Sequence, residues 1–214
     1  MRSLNKVGIA AAGLATLGLS SAAHAHPHAW VTARAVVEWK SDQVTSLQNV
    51  WTFDEMYASD ATAGLDTNKD GKFDKEELKP LAQANVDGLK EFNYFTVATS
   101  GGKAVEFGAA ADYWLEFTDG FLTLHFTLPL TQPIPAKGDV LKFSVADPTF
   151  YIAFMLAKDD PVKVAGSIPT GCKAALSVAP VADDQQKLSD AFAAQFDPSG
   201  DGDSTNTIAV TCPP

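Results

Sequence analysis

From Ala29 onward the chain is written in short stretches that alternate apolar and polar residues, the two-residue period of β-strands. Ala29 to Trp39 sets Trp30, Thr32 and Arg34 against Val31, Ala35 and Val37. After the polar turn Lys40-Ser-Asp-Gln43 the pattern resumes from Val44 to Phe53, predicting a hairpin. Further strands are predicted at Phe95–Ala98, Asp112–Phe117, Phe121–Leu128, Val140–Val145, Ile152–Leu156 and Thr207–Cys212. Thr118-Asp-Gly120 reads as a hairpin turn. Pro129, Pro133, Pro135 and Pro148 fall between these strands, as residues without an N–H should. The pattern predicts an α+β fold: a mainly antiparallel sandwich or barrel-like body carrying a helix-loop-helix insertion and one late helix. Glu55–Leu65 and Lys75–Glu91 are the inserted helices, and Asp183–Phe196 is the late one. No repeat or linker divides the chain, so residues 26–214 are expected to form one domain, with the insertion at 55–91.

Residues 1–25 read as an export signal instead of structure. Arg2 and Lys6 precede the short apolar run from Val7 to Leu19, and Ala23-His24-Ala25 supplies a small-x-small cleavage site. The run is shorter than the roughly 20 residues that span a bilayer, so the protein is not expected to span a membrane. Cleavage after Ala25 makes His26 the first residue and places the chain in the periplasm. In that oxidising compartment Cys172 and Cys212, the whole cysteine inventory, have one possible intramolecular pairing. A redox pair would want neighbouring cysteines, so a structural disulfide is the favoured reading.

The sharpest motif is Asp66-Thr-Asn-Lys-Asp-Gly-Lys-Phe-Asp-Lys-Glu-Glu77. Calcium takes six to eight oxygens, and the EF-hand loop distributes them over twelve residues. Asp66, Asn68 and Asp70 fill positions 1, 3 and 5; Gly71 makes the sharp turn at position 6. Lys72 offers its carbonyl at position 7, Asp74 fits position 9, and Glu77 is the terminal carboxylate. Phe73 fills the apolar slot between helices. No second complete loop is present: Asp197 to Asp203 imitates the first half of one, but Ile208 stands where its last carboxylate should be. A lone loop favours structural use of Ca²⁺ over switching.

Three histidines survive cleavage. His26 with its α-amine, and His28, form a candidate site for Zn²⁺, Ni²⁺ or Cu²⁺; Pro27 blocks the amino-terminal copper/nickel geometry, which needs an amide at residue two. A frayed terminus is the competing reading. His125 shares a strand face with Phe121, Thr123 and Thr127, and packing is favoured over ligation there. Asp54 and Glu55 follow Trp51-Thr-Phe53 and are better read as helix caps than as ligands. No catalytic constellation appears, so the chain is read as non-enzymatic.

Composition excludes another class. With 26 acidic against 16 basic residues the net charge is −10, which opposes binding to nucleic acid or anionic lipid. The segments His26-Pro-His-Ala-Trp-Val31, Trp51-Thr-Phe-Asp-Glu55, the calcium loop, Leu122-Thr-Leu-His-Phe126 and Asp147-Pro-Thr-Phe-Tyr151, with Gly171-Cys172 and Cys212, resemble a bacterial domain-of-unknown-function family. Its members are described as periplasmic components of an uncharacterised ABC-type transport system, commonly encoded beside nickel, cobalt or zinc permeases. The resemblance implies an accessory or binding component of divalent transition-metal transport, partnered by an inner-membrane metal permease. Three histidines and no spare cysteine argue against a high-capacity metal trap. The alternative is a calcium-stabilised structural or interaction module with no transition-metal site.

Overall fold

The computed structural model describes residues 28–149, 151–177 and 207–214. The export signal, His26, the late helix at 183–196 and the 197–203 segment lie outside the described residues. Two open sheets face one another, so the architecture is a sandwich and not a closed barrel. The first sheet runs β5-β6-β2-β1-β8, with β9 also paired to β1. Its strands are β1 (Ala29–Lys40), β2 (Gln43–Phe53), β5 (Ala111–Thr118), β6 (Phe121–Pro135), β8 (Ile152–Leu156) and β9 (Val162–Gly166). The second runs β10-β11-β7-β3-β4, from β3 (Thr96–Ser100), β4 (Lys103–Ala104), β7 (Asp139–Val145), β10 (Lys173–Ser177) and β11 (Thr207–Thr211).

The β1–β2 and β5–β6 hairpins form as expected. Ser41 and Asp42 close the first (φ 50° and 59°), and Asp119 and Gly120 the second (φ 52° and 86°); both are the left-handed pairs that match strand twist. The body is mainly antiparallel, as expected, with β8 and β9 both running parallel to β1 and registering Val31 with Phe154 and Val37 with Val164. Two expectations are corrected. Strand β6 continues past Leu128 to Pro135, taking three prolines into the ladder. Pro129 is tolerated because it lies at a bulge opposite Ser46, where its carbonyl accepts from the Gly108 amide. The first helix, α1 (Glu55–Thr62), stops short of Leu65, and β4, β9 and β10 are strands that alternation alone did not mark.

Alternation decides the packing. Val31, Ala33, Ala35, Val37 and Trp39 of β1 point inward with Leu47, Asn49, Trp51 and Phe53 of β2 and Leu122 to Leu130 of β6. One half of this inner face is covered by α1 and by α2 (Lys75–Lys90), which contributes Leu78, Ala82 and Val86. Trp51 is the hub there, edge-on to Phe126 and to Phe154, each at 4.8 Å between ring centroids. The other half meets Val140, Leu141 and Phe143 of β7 and Ile208 and Val210 of β11. Asn49 stands between the two halves, fully buried, and neither atom of its amide has a hydrogen-bond partner among the described residues.

Between α2 and β3 the chain reverses at Asn93–Phe95, where three consecutive residues are left-handed (φ 50°, 54° and 46°). Each non-glycine residue held there costs about 1–2 kcal/mol. The buried Tyr94 offsets this, its hydroxyl accepting from the Ala110 amide at 3.0 Å. At β9, Gly166 (φ 81°) is required sterically, since a Cβ would lie 2.1 Å from the Trp39 carbonyl oxygen.

Cys172 and Cys212 form the expected disulfide, one residue beyond the Lys173–Thr211 pair that ends the β10–β11 ladder. It closes a loop of sequence separation 40. Removing both sulfurs (Cys172→Ser with Cys212→Ser) is expected to lower the unfolding free energy by up to about 4 kcal/mol. Urea titration of the oxidised protein beside the double variant measures it.

Candidate functional site

The region between α1 and α2 is organised by carboxylates that accept backbone amides. Asp54 caps α1: Oδ1 accepts from the Tyr57 amide at 3.0 Å, while Oδ2 takes the Trp30 amide of β1 at 2.7 Å. The same side chain therefore starts the helix and pins it to the sheet, which realises the cap reading. Partial burial pushes the Asp54 pKa up, but the amides of Trp30, Tyr57 and Met56 outweigh it, and the net direction is down.

The loop that follows folds around its own side chains. Asp66 Oδ1 and Oδ2 accept from the amides of Asp70 and Gly71 at 3.2 and 3.0 Å. Asn68 Oδ1 accepts from Asp70 at 2.9 Å, and Asp70 Oδ1 from Lys72 at 2.8 Å. Gly71 (φ 77°) makes the reversal between them, with Lys69 also left-handed at φ 60°. Asp74 ends the loop as the N-cap of α2, in a capping box with Glu77. Glu77 also reaches back: Oε1 accepts from the Thr67 amide at 2.8 Å, the Thr67 hydroxyl at 2.9 Å and the Asn68 amide at 3.2 Å. The Thr67 hydroxyl, with the amides of Asp74, Thr67 and Asn68, holds the Glu77 pKa below its ordinary 4.5. For both depressed carboxylates the contribution to stability is complete at neutral pH and is lost as pH falls through the acid range.

The loop keeps the residue order of a calcium loop, and the bonds from Thr67 and Asn68 to Glu77 draw its end back toward its start. It is not a preassembled chelate. Among the described residues no three His, Cys, Asp or Glu side chains cluster as a ligand set. The carboxylates are instead turned toward loop amides, and Asn68 and the Lys72 carbonyl would complete the oxygen set. The loop is tied to the body through aromatic contacts. Phe73 packs edge-on to Phe117 of β5 at 4.9 Å, and Lys75 Nζ lies 5.7 Å from the Trp114 ring centroid.

The histidines are not brought together. His28 is held at the entry to β1: its amide donates to the Tyr151 carbonyl at 2.8 Å, and its ring stacks on Tyr151 at 4.6 Å. That removes the frayed-terminus reading for His28; His26 lies outside the described residues. His125 pairs with Val50, and Val50 with Arg34, which puts it six residues along β1 from His28 and two strands across. At strand dimensions this is about 20 Å along and about 10 Å across, too far for one ion. His125 instead stacks on Trp114 (4.4 Å, 4° between planes), and its Nε2 lies 3.1 Å from Glu116 Oε1. It is a packing residue of the outer sheet face, as strand alternation favoured.

Residue patterns left other members of this region unmarked. Asp147 is buried, accepting the Thr149 amide and hydroxyl at Oδ1 and the Ile152 amide at Oδ2, and so sets the turn that delivers Tyr151 to His28. The available signal was Asp147-Pro-Thr149, an acid two residues before a hydroxyl in a turn. Tyr57 stacks on Phe53 at 4.5 Å, and burial, with Tyr151 nearby, raises its pKa.

Fold and site together define a two-sheet α+β domain with an acid-capped helix pair clamped to one end of its larger sheet. The chain belongs to the family described as "Protein of unknown function (DUF1007)", which matches residues 11–212. An uncharacterised 15.5 kDa protein from the trpE 3' region of Spirochaeta aurantia is 34% identical over 97 residues, 45% of this chain and 69% of its own length. An uncharacterised protein of Haemophilus influenzae is 24% identical over 138 residues, 64% of this chain and 66% of its own. No helix among the described residues is long and apolar enough to cross a membrane. The disulfide is compatible with an extracytoplasmic location.

Replacing Asp54 with Ala removes the α1 cap and the Trp30 anchor together. A loss of about 1–2 kcal/mol is expected from equilibrium urea unfolding, with Glu55→Ala, one residue along, changing little.

Proposed function

We propose that the protein is a non-enzymatic periplasmic component of divalent transition-metal transport, with a Ca²⁺ ion stabilising its helix pair through the loop at residues 66–77. The observation that carries the calcium half is the folded order of that loop: Asp66, Asn68 and Asp70 line it at alternate positions, and Glu77 returns to its mouth. The residues that would hold the ion are Asp66, Asn68, Asp70, Lys72 through its carbonyl, Asp74 and Glu77. Bound Ca²⁺ would supply charge neutralisation among these acids; the chain supplies the turn at Gly71 and the helix that presents Glu77. Because Glu77 is already committed to Thr67 and Asn68, binding exchanges those bonds for the ion.

The transport half rests on the family resemblance and on His28, which Tyr151 and the β1–β8 ladder hold exposed at the start of the folded body. His26 and the α-amine of the processed chain would complete a terminal site for zinc, nickel or copper, and the inner-membrane permease is the proposed partner. His125 has no part in it. The alternative, a calcium-stabilised interaction module without a transition-metal site, is favoured by the separation of the histidines and by the scarcity of soft ligands.

Two measurements test this reading. Calorimetric titration of the processed protein should show one Ca²⁺ site and a raised melting temperature, and Glu77→Gln should weaken binding by about tenfold or more. An unchanged affinity in that variant rules the loop out. Native mass spectrometry with Zn²⁺, Ni²⁺ and Cu²⁺ in calcium should then show one additional ion that His28→Ala removes. Retention of calcium alone leaves the interaction module as the function.

A further inference from the structure

Asn49 and Trp51 follow one another on the inner face of β2, the first fully buried and the second 1% exposed. Neither atom of the Asn49 amide has a hydrogen-bond partner among the described residues, and neither has Trp51 Nε1. Two nitrogen donors and a carbonyl acceptor therefore share one patch of the core. Buried polar groups are paired as a rule, because an unmade bond forfeits the water that the group gave up on folding. Trp39 Nε1 is also unpaired, but it stands four residues beyond Ala35 on β1, about 13 Å along the strand, too far to share a partner with Asn49.

The place of this patch is specific. The junction between the two covers passes between Ala33 and Ala35 on β1, between Trp51 and Leu47 on β2, and between Leu128 and Leu130 on β6. Asn49 lies on it, with Ala35 across the ladder on one side and Phe126 on the other. Ala33 and Ala35 carry only methyl groups, so the β1 side of the junction is lined by short side chains. Tyr94 comes within 6.0 Å of Phe126 between ring centroids, but its hydroxyl is turned to the Ala110 amide.

The chemistry of the patch selects its ligand. Asp147 is the one buried charged side chain among the described residues, and both its oxygens are taken by Thr149 and Ile152. No charge is left there to hold a metal ion or an anion. The ligand must be small, neutral, and able to donate and accept at once. Residues two apart on a strand face stand about 7 Å apart at Cα, and one water joins polar atoms up to about 5.6 Å apart through two bonds.

We propose that Asn49 and Trp51 bind internal water at the junction of the two covers. One molecule accepts from Trp51 Nε1 and donates to Asn49 Oδ1, and a second accepts from Asn49 Nδ2. The site owes nothing to the calcium loop or to the histidines. It gives the carboxamide at the junction a role that an apolar side chain of its size could not fill.

Nuclear magnetic resonance of the processed full-length chain, labelled with nitrogen-15, tests this. Water-selective cross-relaxation should reach the Asn49 side-chain amide protons and the Trp51 indole proton. Long-lived water gives peaks of opposite sign in the laboratory and rotating frames, whereas proton exchange gives the same sign in both. Relaxation dispersion of the water signal should also count about one or two fewer long-lived molecules in Asn49→Leu. Gln48→Leu, one residue along and on the other face of β2, should leave the count unchanged. Both groups silent toward water in the folded wild type overturns the proposal. So does an undiminished count in a folded Asn49→Leu, or an equal fall in Gln48→Leu. Should Asn49→Leu fail to fold, the wild-type cross-peaks alone decide.

Discussion

The inner face of β1, β2 and β6 is longer than either layer that covers it, and the rest of the molecule is arranged around that mismatch. Trp51 and Phe126 need a cover that reaches over β5 and β6, and Leu78, Ala82 and Val86 of α2 provide it. Val37, Trp39 and Leu47 need another, and β7 and β11 provide that. Burying each large apolar side chain is worth about 1.5–3 kcal/mol, so neither layer is dispensable. Asn49, enclosed where one cover gives way to the other, is the polar exception.

Seen from this constraint, the helix pair is a lid on the sheet whose own cohesion is polar. Helix α1 has eight residues, too few to persist alone in water. It is kept by the Asp54 cap, by Phe53–Tyr57 stacking, and by the loop that joins it to α2. The loop is in turn closed by Glu77 and seated by Phe73 on Phe117. A cation bound there would act on the cover of the core as well as on a surface loop. That connects the acidic motif to stability, and makes structural calcium the simpler role.

Much of this was legible in the residues, because the signals were local. Two-residue alternation marked the hairpins, Asp119-Gly120 marked a turn, and a lone cysteine pair in a chain read as exported marked the disulfide. Strands β9 and β10 escaped notice for a physical reason. Val162-Lys-Val-Ala-Gly166 and Lys173-Ala-Ala-Leu-Ser177 are short and rich in alanine and lysine, so their pairing partners hold them extended more than their own propensities do. The parallel pairing of β8 and β9 with β1 is likewise a tertiary fact. For the site, the Asp54 cap and the turn at Gly71 were readable from the residues. The separation of His28 from His125 was not, because it depends on the register of three strands, which alternation leaves free to slide by two residues.

The parallel pairing of β1 also has a bearing on how the chain is made. Strand β1 is the first strand among the described residues, yet two of its partners, Ile152–Leu156 and Val162–Gly166, are more than a hundred residues behind it. Until they arrive, β5 and β6 can add to β2 but the outer edge of β1 stays bare, and an unpaired edge is prone to pair with a neighbouring chain. The parallel edge of the larger sheet is therefore completed late in the chain, after its hairpins have been made.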